Sequence, residues 1–343
     1  MTDQTLSRPR PATIIDVARA AGVAVGTVSR YINGLPIRDG NRARIAQVIE
    51  ELGYRRNSAA ASIKTNTTHI VGLLVPAVDE FHAALLDQLS RYMRQTGRAV
   101  LCYCHDTQPT SFMEGLEFFA GHRVDAVVMD GNERLRDRIA PYVAEGMLIA
   151  LYDNDLPGLY ADRVFVENRV ASKRLVDHVL DLGHERVGII HGNLVDSVAR
   201  DRLEGYRDAL AVHGIVEDPD LVVDGRWHEH RGYDAMAELM ALPNPPTAVF
   251  GANYNMSIGA LRLLRERNVS IPDDMSFVSF DDVPAFTVHS PGITAVRQPV
   301  ERMAESIVSL LSERLGSGET LGKRTVRIDA DITLRGSTRR LRR

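Results

Sequence analysis

The chain of 343 residues is 44% hydrophobic and 25% charged, a composition typical of a globular protein with two or three domains. No apolar run reaches the roughly 18 residues needed to span a membrane, and the N-terminus lacks the hydrophobic core of a secretory signal. We therefore predict a cytoplasmic protein without a membrane partner. With only two cysteines, Cys102 and Cys104, a disulfide framework is excluded.

The formal net charge of −4 conceals an uneven distribution of charge along the chain. Residues 1–65 carry ten Lys or Arg and five Asp or Glu, whereas the remainder carries 31 basic and 40 acidic residues. A basic first segment before an acidic body indicates that the first segment contacts phosphate and that the remainder does not.

Residues 1–12 show no hydrophobic periodicity and predict a disordered leader. Two sets of apolar residues at helical spacing follow on either side of Gly22, and they predict two short helices, the second over 25–32. Glycine accepts the left-handed backbone of a sharp turn, and Thr13 is placed to cap the first helix. Such a pair is typical of a helix-turn-helix, whose second helix enters the DNA major groove. The alternative is a helical hairpin that only packs on a neighbour.

A third helix is predicted over 41–52, with Asp39 as its cap and Ile45 and Val48 on its inner face. Polar residues at 64–68 then indicate a domain boundary.

From residue 69 onward, short apolar runs alternate with longer helical stretches. This alternation predicts an α/β core of two doubly wound parallel-sheet lobes, which clamp a small molecule at the carboxyl ends of their strands. The predicted strands cover 70–75, 100–104, 126–129, 148–152, 187–190, 248–251 and 276–280. The predicted helices cover 85–96, 112–120, 139–145, 171–182, 201–213, 232–242 and 256–267.

An ordered set of motifs extends through nearly the whole chain. In order, they are TIIDVARAAGVAVGTVSR (13–30), LGHERVG (182–188), ARDRLEGY (199–206), PTAVF (246–250), FDD (280–282), TAVRQP (294–299) and LRGST (334–338). With these motifs the chain resembles the LacI/GalR family of transcription regulators. The resemblance implies a small all-α helix-turn-helix headpiece attached to a core of periplasmic-binding-protein type.

The implied function is sequence-specific transcription regulation, as a repressor. A small-molecule effector, a sugar or sugar derivative, would bind between the core lobes and set the affinity for a pseudo-palindromic operator in double-stranded DNA. A homodimer is expected because two-fold proteins read palindromic sites. A zipper-linked tetramer is not expected, because no heptad run follows Thr338. The identity of the effector, the operator sequence and the sign of the response stay open.

The resemblance also implies the division of the chain. The segments are a leader (1–12), the headpiece (13–56), a hinge helix with linker (57–68), a first core lobe (69–164 with 298–322), a second core lobe (165–297 with 323–338) and a basic tail (339–343).

The family places DNA contacts on the second headpiece helix and on a hinge helix that wedges an aliphatic side chain into the minor groove. Here Val25 can touch a thymine methyl, Arg30 can fork onto a guanine, and Ile63 stands at the usual leucine. Arg56 replaces the usual proline, and an ordinary linker with a buried Ile63 is the alternative. The implied DNA-binding residues are Thr13, Ile14, Val25, Gly26, Ser29, Arg30, Asn33, Tyr54, Asn57, Ala60 and Ile63.

Polar groups near strand ends suit a polyhydroxyl effector, since Asp281 accepts hydrogen bonds and Arg200 donates a fork. Arg200 paired within its own helix and Trp227 in hinge packing are the alternatives. The loop around Phe81 and the residue Tyr254 depart from the family pattern, which argues against an ordinary neutral hexose. The implied effector-binding residues are Phe81, His82, Asp153, Arg200, Trp227, Asn253 and Asp281.

The alternatives to regulation are an enzyme and a solute-binding protein. A metal site at Cys102, Cys104 and His105 lacks a second cysteine pair, and no phosphate-binding loop or nucleophile elbow occurs. We therefore expect no enzyme activity, no catalytic residue, no metal and no cofactor. A solute-binding protein for transport or sensing would give the basic first segment no purpose.

Overall fold

The computed structural model describes residues 10–55, 67–106, 108–317 and 322–341. The chain forms two compact units, which meet in sequence after Thr68. None of the described helices is long and apolar enough to cross a membrane.

Three helices enclose the small core of the first unit, the headpiece. They are α1 (Ile14–Ala20), α2 (Val25–Ile32) and α3 (Asp39–Glu51). The side chain of Thr13 accepts from the Asp16 backbone N–H at 3.3 Å, while the Asp16 carboxylate accepts from the Thr13 backbone N–H at 2.9 Å. This reciprocal pair begins α1 where the sequence predicts. Gly22, at φ 62°, then makes the turn into α2. The buried core residues are Val17, Ala18, Ala21, Val28, Ile45 and Val48.

The prediction for α3 was wrong at its first turn. The helix begins at Asp39 instead of residue 41, and its N-cap is Arg38, with no side-chain cap. Asp39 lies inside the first turn, where its negative charge still favours the positive end of the helix dipole.

The second unit, the core, is built on two six-stranded sheets. The first sheet is parallel throughout, in the order β11-β5-β4-β3-β1-β2. Helices α4 and α12 pack near one face, and α5 and α6 cover the other. Its strands are β1 (Ile70–Val75), β2 (Ala99–Cys104), β3 (Ala126–Asp130), β4 (Ile149–Tyr152), β5 (Asp162–Val166) and β11 (Thr325–Ile328). Its helices are α4 (Glu80–Gln95), α5 (Pro109–Gly121), α6 (Arg136–Ala144) and α12 (Val300–Ser317).

The second sheet has the order β12-β10-β9-β8-β6-β7 and is parallel except for β12, which runs antiparallel to β10. The predicted fold of two doubly wound α/β lobes is confirmed, with this antiparallel edge as an addition. Its strands are β6 (Val187–His191), β7 (Val222–Asp224), β8 (Ala248–Gly251), β9 (Ser276–Phe280), β10 (Thr294–Arg297) and β12 (Asp331–Thr333). Its helices are α7 (Asn168–Asp181), α8 (Ser197–Val212), α9 (Glu229–Met240), α10 (Tyr254–Glu266) and the short α11 (Pro284–Val288).

The lobe boundaries from the resemblance require correction at three places. The boundary at 164/165 divides β5, and the boundary at 322/323 assigns β11 to the second lobe, although β11 pairs with β5 in the first sheet. The backbone N–H groups of Arg339 and Leu341 bond to the second lobe at Ser276 and Leu182, so the described part of the basic tail is docked.

Buried charges hold the late strands in place. Asp162 is fully buried at the start of β5 and accepts from Arg314 of α12 at 2.5 Å and from Arg324 at 3.1 Å. Although burial opposes ionisation, these hydrogen bonds lower the pKa of Asp162 below its usual value. One carboxylate therefore links β5 to two segments about 150 residues away in sequence.

Each sheet has a switch point where the chain reverses its direction of winding. In the first sheet it lies between β1 and β3, and in the second between β6 and β8. Ligands of open α/β sheets bind outside the carboxyl ends of the strands at such points. The segments after these strands therefore define the cleft in which to look for a site.

Candidate functional site

One face of α2 is exposed on the headpiece. Val28 is fully buried, whereas Val25 is 42% exposed and Gly26 and Arg30 are open to solvent on the other side of the helix. Ser29 is half-buried between these two faces, and Asn33 follows the last turn. The predicted residues of this helix thus form one continuous surface.

Local hydrogen bonds orient that surface. Arg30 donates to the carbonyl of Pro36 at 3.1 Å, and the Asn33 side chain donates to the carbonyl of Ser29 at 2.9 Å. α2 has no side-chain cap at Ala24, so its first backbone N–H groups have no side chain to accept from them there. An exposed helix start of this kind is suited to a phosphate oxygen.

The remaining predicted DNA contacts lie elsewhere. Thr13 is engaged in the cap of α1, and Ile14 and Tyr54 are half-buried against the headpiece core. The structure does not bring these three onto the exposed face of α2. The hinge residues Asn57, Ala60 and Ile63 lie outside the described residues.

The first lobe contributes an ion pair and aromatic rings to the cleft. Asp79 caps α4, and its carboxylate lies 2.6 Å from Nδ1 of His82. Burial opposes a charged imidazole, but this carboxylate raises the pKa of His82 above its usual value. Phe81 and His82 pack 6.3 Å and 6.1 Å from the Tyr152 ring between centroids. Both belong to the first turn of α4, which begins at Glu80 instead of residue 85 as predicted, so neither lies in a loop.

Two further carboxyl groups lie at the switch point of the first sheet. Asp130 ends β3 opposite Tyr152, and Asp153 follows β4 directly. Burial raises the pKa of Asp130 to about 7, and burial raises that of Asp153 to about 6 against the opposing charges of Arg202 and His82. Oδ1 of each carboxyl group is buried without a hydrogen-bond partner in the described structure.

Two side chains next to these carboxyl groups also have buried polar atoms without a hydrogen-bond partner among the described residues. The Tyr152 hydroxyl is fully buried and makes no hydrogen bond with the described residues. His105 is 5% exposed, neither ring nitrogen is hydrogen-bonded within the described residues, and its Nε2 lies 4.0 Å from Oδ1 of Asp130. Burial lowers the pKa of His105 to about 4, so it is neutral near pH 7.

The second lobe contributes a pre-arranged carboxylate. Asp281 follows β9 and is 6% exposed. It accepts from the side chains of Asn253 at 2.9 Å and Gln298 at 2.6 Å, and from the backbone N–H of Tyr254 at 3.3 Å. Nη1 of Arg202 lies 4.0 Å away. These donors fix the carboxylate at the carboxyl end of the second sheet.

The structure places Arg202 beside Asp281, and it does not place the predicted Arg200 there. Arg200 is exposed on α8 and donates to the carbonyls of Leu194 and Val195 in the loop before that helix. Arg202 is 2% exposed, and its guanidinium lies over the Phe280 ring at 3.6 Å. Its hydrogen bonds reach the side chain of Asn168 at 2.9 Å and the carbonyl of Ala252 at 2.7 Å.

Trp227 lies beside this arginine. Its indole N–H donates to Asp196 at 2.7 Å, and its ring lies 5.8 Å from the Arg202 guanidinium. A Cβ at Gly192 would lie 2.2 Å from the ring, so only glycine after β6 leaves room for it. Trp227 also packs against the hydrophobic core and is only partly buried, so one part of its ring is used in packing while another part stays accessible.

The backbone is strained at three of these residues. Asp153, Trp227 and Asp281 have φ of 51°, 65° and 70°, in the left-handed region that side chains other than glycine rarely adopt. Such strain costs about 1–3 kcal/mol per residue and accumulates at binding sites. Residues outside the cleft, among them Arg123 and Asn268, share this geometry, so the strain accompanies the polar contacts of the site and does not by itself identify it.

The two lobes meet at both ends of the cleft. The Glu80 backbone N–H donates to the Tyr254 hydroxyl at 3.4 Å. At the other end, the Asp155 N–H donates to the Ser197 hydroxyl at 3.0 Å, and the Val198 N–H donates to the Asn154 side chain at 3.2 Å. The structure therefore shows the lobes closed over the polar groups between them.

The side chains of the cleft have the chemistry to bind hydrogen-bond donors of a small molecule. The described side chains offer carboxylates from both lobes, one guanidinium and two aromatic surfaces. Among the described residues, no group of three His, Cys, Asp or Glu side chains has the arrangement of a metal site.

Sequence reasoning missed several residues of the cleft. The strand rule that selected Asp153 applies equally to Asp130, but the predicted strand ended one residue too early. Helical spacing identifies Arg202, because it lies three residues after buried Ala199 and four before buried Tyr206. Gln298 belongs to the motif TAVRQP, and His105 was considered only as a metal ligand, whereas nothing local in sequence marks Tyr152 and Asp196.

The sequence matches two protein families and several bacterial regulators. The model for bacterial regulatory proteins of the lacI family matches residues 13–57, and the model for a periplasmic binding protein-like domain matches residues 176–338. The transcriptional regulator GalR of Escherichia coli is 33% identical, over 87% of this chain and 88% of its own. The transcriptional repressor PurR of Haemophilus influenzae is 29% identical, over 89% of this chain and 91% of its own.

Solved structures give the same result. A transcriptional regulator CelR–cellobiose complex is similar with a TM-score of 0.72 and 28% identity, covering 95% of this chain and 99% of its own. The lac repressor dimer bound to operator and an anti-inducer has a TM-score of 0.85, covering 96% and 100% of the two chains. At 21% identity, that second likeness supports the fold alone.

Proposed function

This chain belongs to the LacI family of bacterial transcription regulators, and we propose that it is a homodimeric repressor released from or recruited to its operator by a small molecule held in the cleft. Its relatives are named as HTH-type transcriptional repressors and regulators, which supports regulation rather than catalysis or transport. We further propose which residues contact the operator, where the effector binds, and how the two affinities are coupled.

The exposed face of α2 is the proposed reader of the operator. Val25 offers a methyl contact to thymine, and Arg30 offers a guanidinium to guanine. Gly26 allows the backbone to approach the base edges, because nothing lies within 4 Å of its missing Cβ. The hinge residues Asn57, Ala60 and Ile63 and the cap residue Thr13 remain proposed contacts to the minor groove and phosphates.

The cleft is the proposed effector site, and closure of the lobes is the proposed switch. A ligand held by Asp130 and Asp153 of the first lobe and by Arg202 and Asp281 of the second favours one relative orientation of the lobes. In a homodimer, that orientation sets the spacing of two headpieces. Effector and operator affinities then become coupled, and the coupling is reciprocal.

The single observation that carries this proposal is the strained, hydrogen-bonded Asp281 and its neighbours Asn253, Gln298 and Arg202, assembled from separate elements at a sheet switch point. The test first selects an operator from a random DNA library. Operator binding is then measured by fluorescence anisotropy with and without each compound of a metabolite library.

Two variants separate the two halves of the proposal. We expect Asp281→Asn to bind the operator normally and to lose its response to the effector. We expect Arg30→Ala to weaken specific binding by about 1–3 kcal/mol while non-specific binding changes less. Arg19→Ala, whose side chain is 78% exposed on α1, is the matched control. A normal effector response in Asp281→Asn, or equal losses in Arg30→Ala and Arg19→Ala, would contradict the proposed sites.

A further inference from the structure

The charges of the cleft do not balance between its two walls. The two described cations already have acidic neighbours, since His82 lies 2.6 Å from Asp79 and Arg202 lies 4.0 Å from Asp281. Among the described residues, no lysine or arginine lies within 4.0 Å of Asp130 or Asp153. Two neighbouring carboxyl groups of the first lobe therefore have no lysine or arginine in direct contact, and only the more distant charges of His82 and, for Asp153, Arg202 oppose their burial.

The unsatisfied atoms concentrate at the same place. Oδ1 of Asp130 and Oδ1 of Asp153 are buried without hydrogen bonds, as is the hydroxyl of fully buried Tyr152. Asp130 and Tyr152 are direct partners across β3 and β4, and Asp153 is the next residue. The 95%-buried His105 directs its unbonded Nε2 towards Asp130 Oδ1 from 4.0 Å. Most buried polar atoms of native proteins make a hydrogen bond, so these neighbouring atoms favour a ligand group that can hydrogen-bond to them.

Anions have little to bind here. The helix starts that face the cleft already serve side chains of the protein. Asp79 accepts from the N–H of His82 in α4, Asn154 accepts from the N–H of Val198 in α8, and Asp281 accepts from the N–H of Tyr254 in α10. A carboxylate or phosphate on the ligand would instead meet Asp130, Asp153 and Asp196, at a cost from like-charge repulsion.

We infer that the effector carries a cationic nitrogen group, an amine, amidine or guanidine, that binds between Asp130 and Asp153 with its N–H groups directed at their free Oδ1 atoms. This rests on the proposed function of the cleft and names the chemical class of its ligand. Neutral hydroxyl groups would supply hydrogen bonds but would not offset the cost of ionising two carboxyl groups whose pKa burial raises. A cationic group supplies hydrogen bonds and positive charge together, and charge-assisted hydrogen bonds are stronger than those between neutral groups.

The first experiment needs no ligand. Uncompensated carboxyl groups destabilise the empty protein, so we expect Asp130→Asn and Asp153→Asn to raise the melting temperature of the full chain by about 3 °C or more. Asp137→Asn, whose side chain is 94% exposed on the same lobe, is the matched control and should change nothing. A lower melting temperature in both cleft variants would show that these carboxyl groups are structural, and it would overturn the inference.

The second experiment uses matched probes that differ in charge. Glucosamine is compared with glucose and glucuronate, and agmatine and putrescine with 1,4-butanediol, by titration calorimetry and by operator anisotropy. We expect a cationic member to bind at least about tenfold more tightly than its neutral partner, and this preference to disappear in Asp130→Asn and Asp153→Asn but not in Asp137→Asn.

The outcomes separate the inference from the proposed function. A neutral or anionic compound that binds more tightly and changes operator affinity would leave the effector switch in place and overturn the cationic class. Equal binding of a cation by wild type and by both cleft variants would overturn it as well. If none of the cationic probes binds, the cationic class is contradicted, whereas the effector switch is contradicted only if no compound of the metabolite library changes operator affinity.

Discussion

Replacing Arg202 tests whether the cleft is built around this arginine. Arg202→Met keeps a long side chain but removes the charge and every hydrogen bond of the guanidinium. Arg200→Met makes the same chemical change two residues earlier on α8. Because Arg202 is 2% exposed and Arg200 lies in solvent, the two variants compare a buried guanidinium with an exposed one.

The expected cost follows from the contacts that each variant loses. Arg202→Met removes bonds of 2.9 Å to Asn168 and 2.7 Å to the carbonyl of Ala252, and it leaves Asp281 without its nearest cation. Breaking a buried charge pair from one side costs about 3–5 kcal/mol. Arg200→Met loses two bonds in solvent, for which less than about 1 kcal/mol is expected.

Differential scanning calorimetry of the full chain measures this difference. A cost of about 3–5 kcal/mol corresponds to a fall in melting temperature of about 6–20 °C, against no more than about 4 °C for Arg200→Met. The effector response should disappear only in Arg202→Met. Equal melting temperatures in the two variants would refute the assignment of the buried charge to Arg202, and a lost effector response in Arg200→Met alone would restore the sequence-based choice.

Three further predictions test other parts of the molecule. Gly26→Ala should slow amide hydrogen exchange in α2 by stabilising the helix by about 0.5–1 kcal/mol, because its new Cβ meets nothing within 4 Å; unchanged exchange would contradict this. Asp162→Asn should destabilise the core by about 3–5 kcal/mol in urea unfolding, because it leaves buried Arg314 without its anion, and a loss below about 1 kcal/mol would show that the network contributes little. The pKa of Asp130 is about 7 in the folded chain and about 4 in the unfolded chain. Between about pH 4 and pH 7, the folded core therefore binds more protons than the unfolded chain does. Its melting temperature should therefore fall as pH rises from 5 to 7, with a smaller slope in Asp130→Asn.

The sequence predicts the regular core well where burial is complete. The bounds of β1, β8 and β9 agree with the prediction because each strand is a short apolar run covered on both faces. β5 was missed because it begins with Asp162 and Arg163, which a local pattern assigns to the surface. Their burial depends on partners as distant in sequence as Arg314 and Arg324, and no local window contains them.

The part of the site that lies on a helix could be predicted from the helical spacing of apolar residues. The motif ARDRLEGY contains two arginines, and the resemblance by itself does not choose between them. The helical face formed by Ala199, Leu203 and Tyr206 includes position 202 and excludes position 200, so amphipathic spacing contains the answer. By contrast, the approach of His105 to Asp130 depends on the turn after β2 and on β3, which lies on the other side of β1 in the sheet, and the sequence does not specify this arrangement.

The distribution of charge in the cleft bears directly on how a ligand acts. Asp130 and Asp153 belong to the first lobe, and Arg202 and Asp281 belong to the second, so a ligand contacts all four only when the lobes are closed. The described hydrogen bonds between the lobes near Tyr254 and Ser197 are few, and each contributes about 1 kcal/mol. Uncompensated carboxyl groups oppose closure of the empty cleft, whereas a bound cation removes that opposition. The ligand thus has a differential affinity for the closed state, which is the condition for any shift in the lobe equilibrium.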